Sequence, residues 1–245
     1  MKAAKAAACF LMVLQLFAYA TLAARAAQVT GQVTVAVANG AARPQRDVHV
    51  VLWLTPLDAP AASRPVVPGE FPRPRLIQRN KVFEPHILVV QVGALVDFPN
   101  LDPFFHNVFS LFNGKRFDLG LYEAGSTRAV HFDRVGICYI FCNIHPQMSA
   151  VVVVVDTPYF AVSDARGGIA IPGVLPGRYL LNVWEEHCAP KTLEDLSRNV
   201  TVGEDAVSLG RIHLQESDQP IAAHLDKYGK HYDPEVFSSP VYLKP

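Results

Sequence analysis

The amino-acid sequence predicts an all-β protein, and three observations predict it. Short runs rich in Val, Ile, Phe and Tyr recur from about residue 29 onward. The 19 prolines and 15 glycines supply turn and edge punctuation between them. Half the residues are apolar and only 18% are charged, so a packed core is expected rather than disorder. With 245 residues the chain can form one large domain or two small ones.

Residues 1 to 26 are read as a signal peptide and kept out of the fold. Lys2 and Lys5 form a basic start, Ala6 to Ala20 an apolar run too short for a comfortable membrane span, and Ala24-Arg25-Ala26 a small-x-small cleavage pattern. Of the 22 basic residues, Lys2, Lys5 and Arg25 fall here, leaving 19 against 22 acidic ones in the mature chain. That balance gives no electrostatic case for nucleic acid. No other stretch is long and apolar enough to span a bilayer, so an exported, periplasmic protein without stable membrane insertion is expected.

Two strands around the Asn39-Gly40 turn follow, one at Val29 to Val35 and one at Val48 to Leu54. Six prolines between Pro56 and Pro74 cannot donate ladder hydrogen bonds, which marks a strap or linker and a boundary. Strand signals then become dense: Ile87 to Val92, Leu95 to Phe98, Pro103 to Phe109, Arg128 to Phe132, Gly136 to Cys142 and Ala150 to Val155. Phe98, Phe104, Phe105, Phe109, Phe112 and Phe117 are expected to give a dry aromatic interior. Further strands are expected at Ile169 to Ile171, Leu180 to Trp184, Asn199 to Val202 and Val207 to Leu214. Residues 216 to 245 are polar with scattered aromatics, a surface tail or a strap over a neighbour.

The chemistry concentrates in Phe141-Cys142-Asn143-Ile144-His145-Pro146-Gln147-Met148, with donors spaced C-x2-H-x2-M. His106 lies upstream on a predicted strand edge. Taken singly, a Cys or Met is more often core filler and a His a surface residue. In a chain with only 3 Met and 4 Cys, their meeting a His within seven residues is a strong signal. Two imidazoles, one thiolate and a weak axial thioether are the donors of a mononuclear copper electron-transfer site. Zinc competes for Cys/His ligands, but the thioether and an exported context favour copper.

Export leaves Cys138, Cys142 and Cys188, an odd number. In an extended strand Cys138 and Cys142 stand about 13 Å apart, about twice what a disulfide tolerates. Residues 138, 140 and 142 share one strand face, so Cys138 is expected to be a buried, inert thiol. A Cys138–Cys188 bridge is possible but not required.

These motifs resemble two families. Phe83-Glu84-Pro85, Val92 to Asn100, His106-Asn107-Val108 and the Cys142–Met148 loop are similar to the cupredoxins, the blue-copper fold of plastocyanin and amicyanin. The run from Asp97 to Thr157 also resembles exported bacterial proteins of the methylamine-utilisation or plastocyanin-like type. The resemblance implies a Greek-key β-sandwich over residues 67 to 158, with His106, Cys142 and His145 as equatorial ligands of one type 1 copper and Met148 as the long axial one. It makes Asn107 the residue that ties the His106 strand to the Cys142 loop. Asp164-Ala165-x-Gly167, Ile169-x-Ile171 and Leu175-Pro176-Gly177-x-Tyr179-x-Leu181-x-Val183 resemble a carboxypeptidase-regulatory-like sandwich of the Ig-like or transthyretin-like kind. Its opening strands are found at residues 27 to 66, so segments 27–66 and 159–215 are expected to close around the inserted cupredoxin, with 216–245 as a tail.

The reading that follows is a one-electron carrier with an unidentified redox partner protein, to which His145 beside Pro146 is expected to present an imidazole edge at the surface. A copper carrier or delivery protein would use the same ligands more exposed, and a non-redox scaffold would have no use for the loop. The binuclear copper-A pattern lies within one residue of the Cys138-to-Met148 spacing, but Tyr139-Ile140-Phe141 is strongly strand-forming. An enzyme is not expected: Phe141-Cys142-Asn143 replaces the His-Cys-His run of multicopper oxidases, and no nucleophile–base arrangement stands out.

Overall fold

The computed structural model describes residues 26–37, 49–58, 72–111, 115–217 and 225–232. The expected signal peptide, the Asn39-Gly40 turn and most of the proline-rich stretch lie outside them. The described residues are all-β apart from one short helix.

One group of strands carries the dense middle of the sequence. β1 (Ala27–Ala36) and β2 (Val51–Pro56) precede it; within it run β3 (Ile77–Arg79), β4 (Val82–Glu84), β5 (Ile87–Gln91), β6 (Ala94–Pro99), β7 (His106–Ser110), β8 (Phe117–Tyr122), β9 (Thr127–Phe132), β10 (Gly136–Cys142) and β11 (Ser149–Val155). A five-stranded sheet of order β5-β11-β10-β7-β8 packs against the β6-β9 pair and the small β3-β4 hairpin. Side chains of both layers alternate inward, as strand periodicity demands. Phe98, Val130 and Phe132 meet Val108, Cys138, Ile140, Cys142, Ala150, Val152 and Val154 in one core.

The remaining strands are β12 (Phe160–Val162), β13 (Gly168–Val174), β14 (Gly177–Trp184), β15 (Arg198–Val202) and β16 (Val207–Gln215), with helix α1 (Pro190–Leu196) between β14 and β15. β1 pairs antiparallel with β13 and parallel with β16, while β2 lies between β12 and β14. The two sheets β13-β1-β16 and β12-β2-β14-β15 enclose a second core built on Val29, Val33, Leu52, Leu54, Ile171, Leu181 and Ile212. The chain thus leaves this pair of sheets after β2 and returns to it at β12, where Phe160 pairs with Trp53.

A third cluster joins the two groups. Val51 and Trp184 on the outer face of β2 and β14 pack on Ile87, Val151, Val153 and Val155. The valine run of β11 is therefore buried on both faces, which explains its lack of polar alternation.

Several elements were not expected. β3, β4 and β12 have three residues each, too few for a run pattern to register. α1 opens with Pro190 at its first turn and is only seven residues long, with Leu193 and Leu196 alone packed against the core, too short an apolar stripe to read. The aromatic interior needs one correction: Phe105 is 51% exposed, because β7 begins only at His106 and the preceding residues run over the surface. Phe98 and Phe109 are buried, and Phe112 lies outside the described residues.

Candidate metal centre

Register brings the donors together. Cys142 ends β10 and pairs with Val108 of β7, and Phe141 pairs with Phe109. β7 runs two residues past that last pair, so His106 lies beside the loop that follows Cys142 and on the same face as Val108 and Cys142. The loop then turns back. The Met148 N–H donates to the His145 carbonyl at 3.0 Å, and the Cys142 N–H donates to the Met148 carbonyl at 3.2 Å. Cys142, His145 and Met148 are held on one closed loop whose ends are the paired strands β10 and β11.

The resulting geometry is a small triangle. His106 Nδ1 and His145 Nδ1 are 3.2 Å apart, and the Cys142 Sγ lies 3.6 Å from the first and 3.5 Å from the second. All three residues are buried, His145 at 4% exposure and the other two at 0%. Met148 is also fully buried, in the same core as Cys142. Phe104 packs against both imidazoles, with ring centroids 5.3 Å from His106 and 5.6 Å from His145.

A second set of residues orients the first. His106 Nε2 meets Asp102 Oδ2 at 2.8 Å. The ring therefore donates from Nε2 and keeps its Nδ1 lone pair for the triangle, the carboxylate–histidine arrangement that commonly fixes a metal-binding tautomer. Asp102 is itself gripped: the N–H groups of Asn80 and Lys81 donate to its two carboxylate oxygens at 2.6 and 3.0 Å. Those two residues form the β3–β4 turn with φ of 55° and 58°, a left-handed pair that L side chains rarely adopt. The turn points both N–H groups at one carboxylate, and the carboxylate holds the turn.

The electrostatics follow from burial. Burial alone would raise the Asp102 carboxyl, but the Lys81 N–H, His106 and the Asn80 N–H together hold it below its ordinary value. Burial lowers His106, with Asp102 opposing, and burial plus the neighbouring His106 hold His145 down at about 4. Burial pushes the Cys142 thiol up, and the N–H groups of Asn107, Ile144 and His145 pull it part of the way back. At neutral pH His145 is therefore uncharged and able to donate a lone pair. Among the described residues its buried Nε2 has no hydrogen-bond partner.

Two features differ from the sequence reading. The His145 ring was expected to show an edge at the surface beside Pro146, and instead it is packed under Phe104. Asn107 links the His106 strand to the Cys142 loop through its main chain, its carbonyl accepting the Asn143 N–H at 3.0 Å. Its side chain points to β8 and donates to Asp118 Oδ1 at 2.6 Å. Asp102, Phe104 and the Asn80–Lys81 turn were missed. Asp102 has a faint signal, an acidic residue just before Pro103 and four before His106.

The other two cysteines among the described residues are free and buried, Cys138 among the core residues of β10 and Cys188 beyond β14. A second grouping of donors, Glu185, His187 and Glu216, has ligand atoms within 4.8 Å of one another. There the Glu185 carboxylate already takes the His187 N–H at 2.8 Å and its ring nitrogen at 3.0 Å. His86 Nε2 meets Glu186 Oε2 at 2.6 Å.

No protein-family model matches the chain, and no curated protein matches it in sequence. Solved structures that it resembles include a purple cupredoxin from Nitrosopumilus maritimus, at 24% identity over 34% of this chain and 99% of that one, with a TM-score of 0.31. A copper-containing nitrite reductase from Thermus scotoductus SA-01 matches at 26% identity over 41% of this chain, TM-score 0.34, and this chain spans 27% of it. The reduced Cu(I) form of an amicyanin mutant matches at 22% identity over 42% of this chain and 98% of that one, TM-score 0.33.

Proposed function

We propose that His106, Cys142, His145 and Met148 hold one copper ion as a type 1 centre, and that the protein is an exported, periplasmic one-electron carrier serving a redox partner protein. The observation that carries this reading is the buried triangle of two imidazole nitrogens and one sulfur with edges of 3.2 to 3.6 Å. Three lone-pair donors facing one another in a dry core repel unless a cation or a shared proton lies among them. Soft sulfur with two imidazoles and a nearby thioether selects copper over the hard divalent ions. When bound, copper supplies a one-electron couple.

The chain's own residues do the rest. Asp102 fixes the His106 ring, the closed loop fixes Cys142 and His145, and Phe104 with the surrounding core keeps water out. A site assembled by two paired strands and a closed loop has little freedom to rearrange, which suits repeated electron exchange. Deep burial of all three donors weighs against a delivery protein, whose ligands must be reached by a competing site. We read the segments 27–66 and 159–215 as one sandwich and 67–158 as the copper-binding unit set into it. The strand pairing of β1 with β13 and β16, and of β2 with β12 and β14, supports that division.

The test is to load purified protein with Cu(II) and record visible and EPR spectra beside Cys142→Ser. An intense thiolate-to-copper band at one copper per chain, absent from the variant, is the expected result. A mixed-valence spectrum that needs both Cys138 and Cys142 would replace the reading with copper-A. Binding of Cu(I) alone without colour would replace it with the delivery protein, and no binding with a scaffold.

A further inference from the structure

We infer that the C-terminal segment 225–232 is a strap that forms the outer wall of the metal centre and controls access to the Cys142 sulfur. It rests on the proposed centre for its purpose, but not for its geometry. The segment is far from the loop in sequence, yet two of its groups end there and a third ends on β8. The Lys227 N–H donates to Asn143 Oδ1 at 2.9 Å. The Tyr232 hydroxyl donates to the Cys142 carbonyl at 2.9 Å. The Lys227 ammonium reaches Asp118 Oδ2 on β8 at 2.8 Å.

These contacts close a ring around the donor residues. Asp118 accepts from Lys227 on one oxygen and from Asn107 on the other. Asn143 accepts from Lys227 with its side chain and donates its main-chain N–H to Asn107. The start of β7, the end of β10 and the strap are thus tied at one point, next to His106 and Cys142. The Cys142 carbonyl stands at the end of its strand, where a carbonyl without a ladder partner would need water. Tyr232 takes that place with a half-buried ring.

The strap is preformed rather than draped. Asp226 Oδ1 accepts the N–H groups of Tyr228 and Lys230 at 2.9 and 2.7 Å, and the Asp226 N–H donates to the Lys230 carbonyl at 2.8 Å. Gly229, at φ 76°, supplies the left-handed residue that this tight turn needs. A compact clasp fastened by two hydrogen bonds and one ion pair is a local unit that opens without unfolding the sandwich. Its physical role is to keep solutes away from the Cys142 sulfur, since two equivalents of a peroxide that reached it would oxidise the thiolate through sulfenic acid to irreversible sulfinic acid, each peroxide giving up one oxygen and leaving as water.

The experiment is alkylation of the metal-free, full-length protein by iodoacetamide, with each cysteine followed by peptide mass spectrometry. Tyr232→Phe combined with Asp226→Ala is expected to speed Cys142 modification about tenfold or more, a ratio equivalent to about 1.4 kcal/mol of lost closure. Tyr232→Phe alone should give a smaller increase. Cys138, which pairs with Val152, and Cys188, which bridges to Glu216, are also buried and should keep their rates. Unchanged Cys142 reactivity, or a parallel rise at all three thiols, would overturn the inference. Because no copper is added, a protein that fails to bind copper leaves this result standing and removes only the proposed function.

Discussion

Cys138 and Cys142 sit on the same face of the same strand, four residues apart, and both are fully buried. Their surroundings make them different chemicals. Cys138 pairs across to Val152 in the middle of the sheet, and burial pushes its thiol up to about 11, with only Lys115 nearby to oppose it. Cys142 ends the strand, where two imidazoles and three main-chain N–H groups converge on its sulfur. A β-strand therefore delivers a sulfur to a dry place, but it does not by itself make the sulfur a donor. The two-residue overshoot of β7 and the loop that turns back after Cys142 do that.

The sharpest way to break the comparison is to exchange the roles. Cys142→Ser should abolish the coloured copper complex, while Cys138→Ala keeps it at full stoichiometry; visible titration with Cu(II) decides. Met148→Ala should cost about 2–5 kcal/mol of stability by opening a cavity in the core, measured by denaturant unfolding of the metal-free protein. An unchanged midpoint would place Met148 outside the packed wall of the loop. Asp102→Asn should weaken copper binding by about 10–100-fold, as loss of a carboxylate partner to a metal-binding histidine typically does, and competition with a chelator reads it directly. Cys138→Ala should cost only about 1–2 kcal/mol, the small-cavity end of core truncation.

The smallest effect lies away from the centre. Hydrogen bonding to Glu186 raises the His86 pKa above its ordinary 6.5, against burial. A raised folded value means that this pair adds stability fully below pH 6.5 and loses it as pH rises through the folded pKa. His86→Gln should therefore flatten the fall in Tm between pH 6 and 9, by no more than about 3 °C for a partly exposed pair.

Much of this was legible in the chain because it is local. The C-x2-H-x2-M spacing puts three donors on one turn, and the period-two pattern puts Cys138, Ile140 and Cys142 on one face. His106 was legible only through its neighbours Asn107 and Val108 and a resemblance. What could not be read is what depends on contacts between distant segments. The Asn80–Lys81 turn grips Asp102 across some twenty residues, and Tyr232 reaches Cys142 across ninety. Single residues at such separations carry no periodicity, and short strands such as β3 and β4 carry too little. The surface edge expected of His145 failed for a related reason: Phe104, from a different segment, covers it.

β11 presents Ala150, Val152 and Val154 to one core and Val151, Val153 and Val155 to another. It is a party wall: neither half of the molecule can melt without baring a strip of valine that the other half was covering. The chain should accordingly absorb heat in one calorimetric peak, and copper bound at one end should raise the melting temperature of strands that never touch it.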